Sequence, residues 1–457
     1  MLYFVRMYAI QLRRWDFGQN FHWGVAVSAY QIEGGWNADG KGPSIWDAFV
    51  RRPGKIDRRE TGDVACDFYH RYLEDIQLLR ELSIPAFRFS ISWPRLLPEG
   101  RGKVNPAGIA FYHQVIDACL AAGIEPWVTL YHWDIPLALE EGYGGWTNRK
   151  VLDDFLGYVE LCAKEYGGKV KYWMVLNEPL AFTAAGYLLG IHAPGRRGLK
   201  NFFPAVHHAA LAQAEGIRLL KRLLPKAVVG TTFSTSPTFP YRPGNPKDEA
   251  AARRYDAVLN RLFVEPLLGR GYPVDAFPEL AEISRRYAQP GDDERLAAPP
   301  DFIGIQNYTR EVIKYHAFVP WIKGRPIPPK RRGVPYQAMG WEVFPESLYL
   351  ALKQFAQYDP SLPIVITENG FAAEGETTDD PKRVAYLQAA LRQVYRAKQE
   401  GVNVQGYFIW TFLDNFEWAE GYRPQFGIVY VDRATLERRP KQSALWYRDF
   451  LKGIAEI

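Results

Sequence analysis

The chain has 457 residues, 47% of them hydrophobic and 23% charged, with a net charge of only +5 and no low-complexity tract. No stretch approaches the roughly 20 apolar residues of a membrane span, so no membrane partner is expected. The basic clusters Arg51-Arg52, Arg58-Arg59 and Lys330-Arg331-Arg332 lie among Pro and Gly without a nucleic-acid-binding module, so no nucleic-acid partner is expected either.

Cys66, Cys119 and Cys162 are widely spaced, and the last two fall in apolar helical patterns. Such a sparse, odd set argues against a disulfide framework and suits a reducing cytoplasm. The N-terminal run is broken by Arg6 and lacks a cleavage site of small residues, so it is not read as a secretory signal; Met7 is an alternative start to Met1. Aromatic residues reach 15%, including 14 Trp and 27 Tyr, which serves either a large core or a cleft of flat rings suited to sugars.

In chain order, eight short apolar stretches read as strands: His22–Tyr30, Ile84–Ile91, Ile124–Tyr131, Tyr172–Asn177, Ala227–Phe233, Phe302–Gln306, Pro363–Thr367 and Val404–Trp410. Longer amphipathic patterns alternate with them, at Arg71–Leu82, Gly108–Ala122, Lys150–Tyr166, Phe203–Leu224, Pro345–Tyr358 and Pro381–Glu400. In the first of these, Tyr72, Leu73, Ile76 and Leu79 recur at helical period, and Gly123 stands where the second should stop. This alternation predicts a (β/α)8 TIM barrel. The competing doubly wound sheet usually carries a phosphate loop after its first strand. Here Gly35-Trp36-Asn37-Ala38-Asp39-Gly40-Lys41 has the spacing, but Gly42 stands where Ser or Thr is needed. No linker or repeat divides the chain, so one catalytic domain over residues 1–457 is expected, with residues 1–15 readable as an N-terminal extension. Irregular segments at about 31–66, 234–250 and 308–344 follow strands, where a barrel gathers its site-forming loops.

Two of these strands end in a carboxylate. Pro179 stops the ladder just after Glu178, and Gly370 is read as permitting the turn out after Glu368. Two carboxylates on separate strand ends are what hydrolysis of a glycosidic bond requires. Other strands deliver polar or aromatic residues that apolar packing does not explain. The first gives Gln31 and Glu33, the third ends in Tyr131-His132-Trp133-Asp134, and the eighth gives Trp410 with Glu417 and Trp418 following. Arg88, amid the apolar second strand, is costly unless paired, and a catalytic carboxylate would be its partner. Standing alone, His132 reads as a core histidine, and Trp93, Trp127 and Trp173 read as core. The eight histidines show no metal-ligand spacing, since His207 and His208 are adjacent on a helix and no H-E-x-x-H occurs. A serine hydrolase is unsupported without G-x-S-x-G. No metal and no cofactor are expected.

Six motifs occur in order. They are Gln31-Ile32-Glu33-Gly34, Phe87-Arg88-Phe89-Ser90-Ile91-Ser92-Trp93, Tyr131-His132-Trp133-Asp134, Asn177-Glu178-Pro179, Ile366-Thr367-Glu368-Asn369-Gly370 and Asp414-Asn415-Phe416-Glu417-Trp418-Ala419-Glu420-Gly421-Tyr422. In them the sequence resembles glycoside hydrolase family 1, the β-glucosidase family, along essentially its whole length. The resemblance implies a retaining double displacement with Glu368 as nucleophile and Glu178 as acid/base, and Arg88, Tyr308 and Asn177 in support. At the roughly 5–5.5 Å separation of such pairs both carboxylates cannot comfortably be ionised, so one keeps its proton. Gln31, His132, Trp133, Asn177, Trp410, Glu417 and Trp418 would hold the sugar, and Trp341 would stack against the leaving aglycone. Glu417-Trp418 resembles the enzymes for unphosphorylated sugars, and Glu178 is intact, unlike the plant thioglucosidases that carry Gln there. The implied partner is a small-molecule β-glucoside or oligosaccharide, as for a β-glucosidase in cellobiose or cellulose degradation with some β-galactosidase and β-fucosidase activity. Two departures stand out. Gln306-Asn307-Tyr308 replaces the family's Asn-Tyr-Tyr, and Thr231-Thr232-Phe233-Ser234-Thr235 lacks the Asn often found near the leaving group. A transglycosidase using the same covalent intermediate, or a sugar-binding protein without catalysis, would share this scaffold. Oligomeric state is not legible.

Overall fold

The computed structural model describes residues 11–375 and 377–457. Eight parallel strands close a barrel, as the alternating pattern predicts: β1 (His22–Ala26), β2 (Ala86–Ser90), β3 (Glu125–Tyr131), β4 (Tyr172–Asn177), β5 (Val228–Ser234), β6 (Phe302–Gln306), β7 (Ile364–Asn369) and β8 (Val404–Trp410). Each pairs with the next in chain order. The ring is sealed between β8 and β1, in register from His22 opposite Gly406 to Ala26 opposite Trp410. Helices between the strands form the outer layer: α1 (Phe68–Glu81), α2 (Pro106–Ala121), α3 (Val151–Tyr166), α4 (Leu199–Leu223), α5 (Pro246–Asp256), α6 (Ala281–Tyr287), α7 (Glu346–Ala356) and α8 (Pro381–Gln399), with α9 (Gln442–Leu451) closing the chain.

β4 is buried at every residue because a barrel strand has an inner core on one face and helices on the other. Helices α2, α5 and α8 begin with Pro in their first turn, where a missing N–H costs nothing, and Asn245 caps α5 by accepting from the Lys247 and Asp248 amides. The lower barrel is plugged, not hollow. Trp127 lies flat on Tyr172 with centroids 4.0 Å apart, packed edge-on by Phe302 and tilted against Phe408. Truncating such a ring to Ala typically costs about 3–5 kcal/mol, so the plug gives the upper barrel a rigid floor. Trp93 and Trp173 are core as expected, the former stacked on Tyr158 at 5.0 Å.

Four local expectations are corrected. β1 stops at Ala26, and Ala29–Ile32 is a helical turn, so Gln31 belongs to that turn. A short apolar run does not by itself tell strand from buried helix. In α1, Leu73 is 62% exposed, and the buried face instead includes Asp75, which Arg438 holds through two hydrogen bonds of 2.8 and 2.9 Å. The segments after β5 and β6 are not wholly irregular. Thr238–Pro240, Glu311–Tyr315 and Gly324–Pro326 form a small sheet that ties the two loops together. Gly370 is required by space, not by a left-handed turn, since a Cβ there would meet the Trp410 carbonyl at 1.9 Å.

Of the N-terminal extension, residues 1–10 lie outside the described residues; Leu12 exchanges both backbone hydrogen bonds with Ile457. The three cysteines are buried and unbridged. Among the described residues no helix is long and apolar enough to cross a membrane.

Candidate active site

The carboxyl ends of the barrel strands open into a cavity of about 610 Å³. Glu178, immediately after β4, and Glu368, the penultimate residue of β7, both line it. Glu368 is 4% exposed and held by three donors. Arg88 Nη1 and Gln306 Nε2 donate to Oε1 at 2.5 and 2.8 Å, and the Tyr308 hydroxyl donates to Oε2 at 2.8 Å. The register explains Gln306. It sits directly opposite Glu368 on β6, where a bulge after Ile366 re-aims the end of β7. Arg88 rises from β2 with no solvent exposure, its Nε against Met174 Sδ at 3.3 Å.

Glu178 is treated differently. Among the described residues no hydrogen bond holds its carboxyl. Its backbone sits in the left-handed region at φ 45°, as do those of two other cavity residues, Trp133 and Trp418, at φ 80° and 52°. Non-glycine residues persist there only when their surroundings fix them, and such strain gathers at functional sites. Burial raises both carboxyl pKa values, but Arg88 and the Tyr308 hydroxyl pull Glu368 back, whereas the Glu368 charge pushes Glu178 further up. Of the two, Glu178 holds a proton the more strongly, and Glu368 is the better placed to carry the charge. This pair can deliver a proton from one side and a nucleophilic or charge-stabilising carboxylate from the other.

Asn177, next to Glu178, is fully buried and links the second strand to the third. Its Oδ1 accepts from Arg88 Nη2 at 2.5 Å, Gln306 Nε2 at 2.6 Å and Thr232 Oγ1 at 3.0 Å, which fixes its Nδ2 as the donor toward His132 Nε2 at 3.1 Å. His132 must then accept at Nε2 and carry its proton on Nδ1, which has no partner among the described residues. Burial, and then the nearby Arg88 charge, hold the imidazole pKa well below its usual value, so the ring stays neutral.

The opposite wall is aromatic. Trp418 lies 4.7 Å from Trp133 and 6.0 Å from His132, and Trp133 is anchored by donating to the Asn177 carbonyl at 2.8 Å. Glu417 lines the cavity below them, and burial together with the Glu368 charge raises its pKa to about 8. On the far side Trp341 packs near Tyr308 at 5.3 Å, with Phe426 behind both.

The cavity thus gathers Glu178, Glu368, His132, Trp133, Tyr308, Trp341, Trp410, Glu417 and Trp418. Arg88, Asn177 and Gln31 are fully buried and stand behind its wall. Gln31 donates to the Phe416 carbonyl at 2.9 Å and reaches Glu417 Oε2 at 3.3 Å. Glu33 is turned into an ion pair with Arg95, with Tyr112 also donating to it. Further cavity residues include Gln306, Ser234, Thr235, His192, Met339 and Phe426. Of these, Gln306, Ser234 and Thr235 carried a signal, as departures at strand ends. Among the described residues no group of three His, Cys, Asp or Glu is arranged to hold a metal ion.

The model for glycosyl hydrolase family 1 matches residues 13–454. β-Glucosidase A of Thermotoga maritima is 40% identical over 450 residues, covering 96% of this chain and 98% of its own, and β-glucosidase A of Acetivibrio thermocellus is 40% identical over 445 residues with the same coverage. The solved structure of the family 1 β-glucosidase from Thermotoga maritima superposes with a TM-score of 0.89 over 96% of this chain and 98% of that one.

Proposed function

The chain belongs to glycosyl hydrolase family 1, and from that membership we propose that it is a retaining β-glucosidase releasing terminal, non-reducing β-D-glucosyl residues. The observation that carries this reading is the unequal treatment of the two strand-end glutamates. Three donors converge on Glu368, while Glu178 is left buried with its pKa raised.

In the first step Glu368 attacks the anomeric carbon as the bond to the leaving oxygen breaks, and Glu178 gives that oxygen its proton. The product is a glycosyl ester of Glu368. Esterification removes the Glu368 charge, so the repulsion that raised the Glu178 pKa disappears and Glu178 becomes a competent base. It then takes a proton from the incoming water, whose oxygen bonds to the anomeric carbon while the ester bond breaks and restores the Glu368 carboxylate. Two inversions give net retention.

Around this chemistry His132, Trp133, Trp410, Glu417 and Trp418 hold the sugar, Gln31 holds Glu417 in place, and Trp341 offers a flat face to an aryl or glucosyl aglycone. Asn177, expected to contact the sugar, instead stands behind the wall and is assigned the placing of Arg88, Gln306 and His132. Glu417 offers a carboxyl group and no cation to a sugar, and so nothing that pairs with a phosphate, which favours unphosphorylated glucosides, including those of cellobiose type. Galactosides and fucosides, which differ at single hydroxyls, are proposed as slower substrates. The whole chain acts as one catalytic domain in this reading, and its unbridged, buried cysteines suit the cytoplasm.

The test is release of nitrophenol from aryl β-glucoside, β-galactoside and β-fucoside by the wild type and Glu368→Ala. The wild type should cleave the glucoside fastest, and the variant should be inactive until azide or formate is added. A wild type that binds glucose-like ligands but cleaves none of the three refutes the reading.

A further inference from the structure

Gln306 is 1% exposed, and its two ends are used unequally. Nε2 lies 2.8 Å from Glu368 Oε1 and 2.6 Å from Asn177 Oδ1. Both neighbours are acceptors, the second because Arg88 donates to it, so the amide orientation is fixed: Nε2 faces them and spends its two protons there. Turning the amide over would set three oxygens against one another. Oε1 is left buried without a partner among the described residues, although Gln306 belongs to the cavity wall. A buried, unpaired amide oxygen is costly, so a ligand that brings a donor to it recovers that cost.

Resting on the reading of the site as a β-glucosidase, we propose that Gln306 is a substrate-binding residue whose Oε1 accepts from the sugar hydroxyl on the carbon next to the anomeric carbon. The position follows from covalent geometry. Oε1 and Nε2 share one carbon, and Nε2 is bonded to the same Glu368 carboxylate that engages the anomeric carbon. A group within one amide of that carboxylate faces the neighbouring ring position, whereas His132 and Trp133, after β3, rise from across the barrel, and Glu417 and Trp418 follow β8, on the side of β7 away from Gln306, so that these face the rest of the ring. One side chain thereby orients Glu368 through its nitrogen and reads the adjacent hydroxyl through its oxygen.

The test crosses enzyme variants with substrates. kcat/KM is measured for nitrophenyl β-glucoside and its 2-deoxy analogue with the wild type, Gln306→Met and Gln306→Glu. Comparing each variant's ratio with the wild-type ratio cancels the intrinsic reactivity difference between the substrates. Gln306→Met keeps the length without an acceptor, and its preference for the hydroxylated substrate should fall about tenfold, as one lost hydrogen bond predicts. Gln306→Glu keeps an oxygen there and should retain the preference within about threefold, while losing activity on both substrates because it no longer donates to Glu368. If both substrates lose activity equally in Gln306→Met, Gln306 acts only by positioning Glu368 and the proposal is wrong. A wild type inactive on both substrates overturns the glycosidase reading itself, and the proposal with it.

Discussion

Arg88 and Glu368 form an ion pair inside the barrel, Nη1 to Oε1 at 2.5 Å, with the guanidinium wholly buried and the carboxylate 4% exposed. The two residues are 280 positions apart in the chain. A charge on β2 is tolerable there because the partner arrives on β7, and the Arg88 charge pulls the partner's pKa back down against burial. Each accounts for the other's burial.

Replacing Arg88 with Met should therefore unmask a buried, unpaired carboxyl. The expected loss is about 3–5 kcal/mol of stability, the usual cost of breaking a buried pair from one side. Without Arg88, Glu368 takes up a proton more readily, which relieves part of the penalty at low pH. Denaturant unfolding should thus show a larger gap from wild type at pH 8 than at pH 5, and a gap independent of pH would contradict the pairing.

Removing the Tyr308 hydroxyl acts on the same charge more gently. That hydroxyl donates to Glu368 Oε2 at 2.8 Å and holds the Glu368 pKa down against burial. In Tyr308→Phe the Glu368 pKa rises, so the acidic limb of kcat/KM should move to higher pH. The loss at the optimum should be roughly 10- to 100-fold, the worth of a hydrogen bond to a charged group. A variant whose acidic limb coincides with that of the wild type would show that Tyr308 does not act through Glu368.

Glu417 gives a stability signature that is separable from catalysis. Its pKa is raised to about 8, so the folded protein keeps a proton that the unfolded chain releases above about 4.5. The stability this brings is fully present below about 4.5 and is lost as pH rises through 8. Glu417→Gln removes the dependence. The Tm difference, variant minus wild type, should increase from pH 5 to pH 9, while activity falls because an acceptor for the sugar is gone. Asp75, Asp134 and Glu311, raised to about 6, 7 and 7, slope the same way but are present in both proteins and cancel. A Tm difference that is flat across this range would mean Glu417 is ionised throughout.

Strand ends were the most legible part of this chain. The run that meets Pro179 must leave the ladder, and in a parallel barrel every strand points its carboxyl end toward the same face, so the strand-end residues Glu178 and Glu368 share the face where sites form. Less legible was where a run ended without such a stop. The apolar run of the first strand predicts a strand as far as Tyr30, yet the chain turns helical after Ser28, because apolar residues suit a buried turn as well as a strand. Leu73 is exposed where helical periodicity would place it inside, and Asp75 is buried because Arg438, far along the chain, supplies its carboxylate with a partner that periodicity does not register.

The same divide runs through the site. Residue type and order were sufficient to select the barrel, the two strand-end glutamates and Arg88, since these depend on period, chain stops and the cost of a charge in an apolar strand, whereas the roles of Tyr308, Trp341 and the residues around the sugar rest on the family resemblance. Which residues touch the cavity and which stand behind it was decided by tertiary structure alone. Gln31 and Asn177 lie behind the wall, and Gln306 lies on it, opposite Glu368 across a bulged register. The tautomer of His132 follows from a relay that crosses three strands, from Arg88 through Asn177 to the imidazole. Register shifts and hydrogen-bond directions are set between strands that are distant in sequence, and a local pattern holds no record of its neighbour's phase.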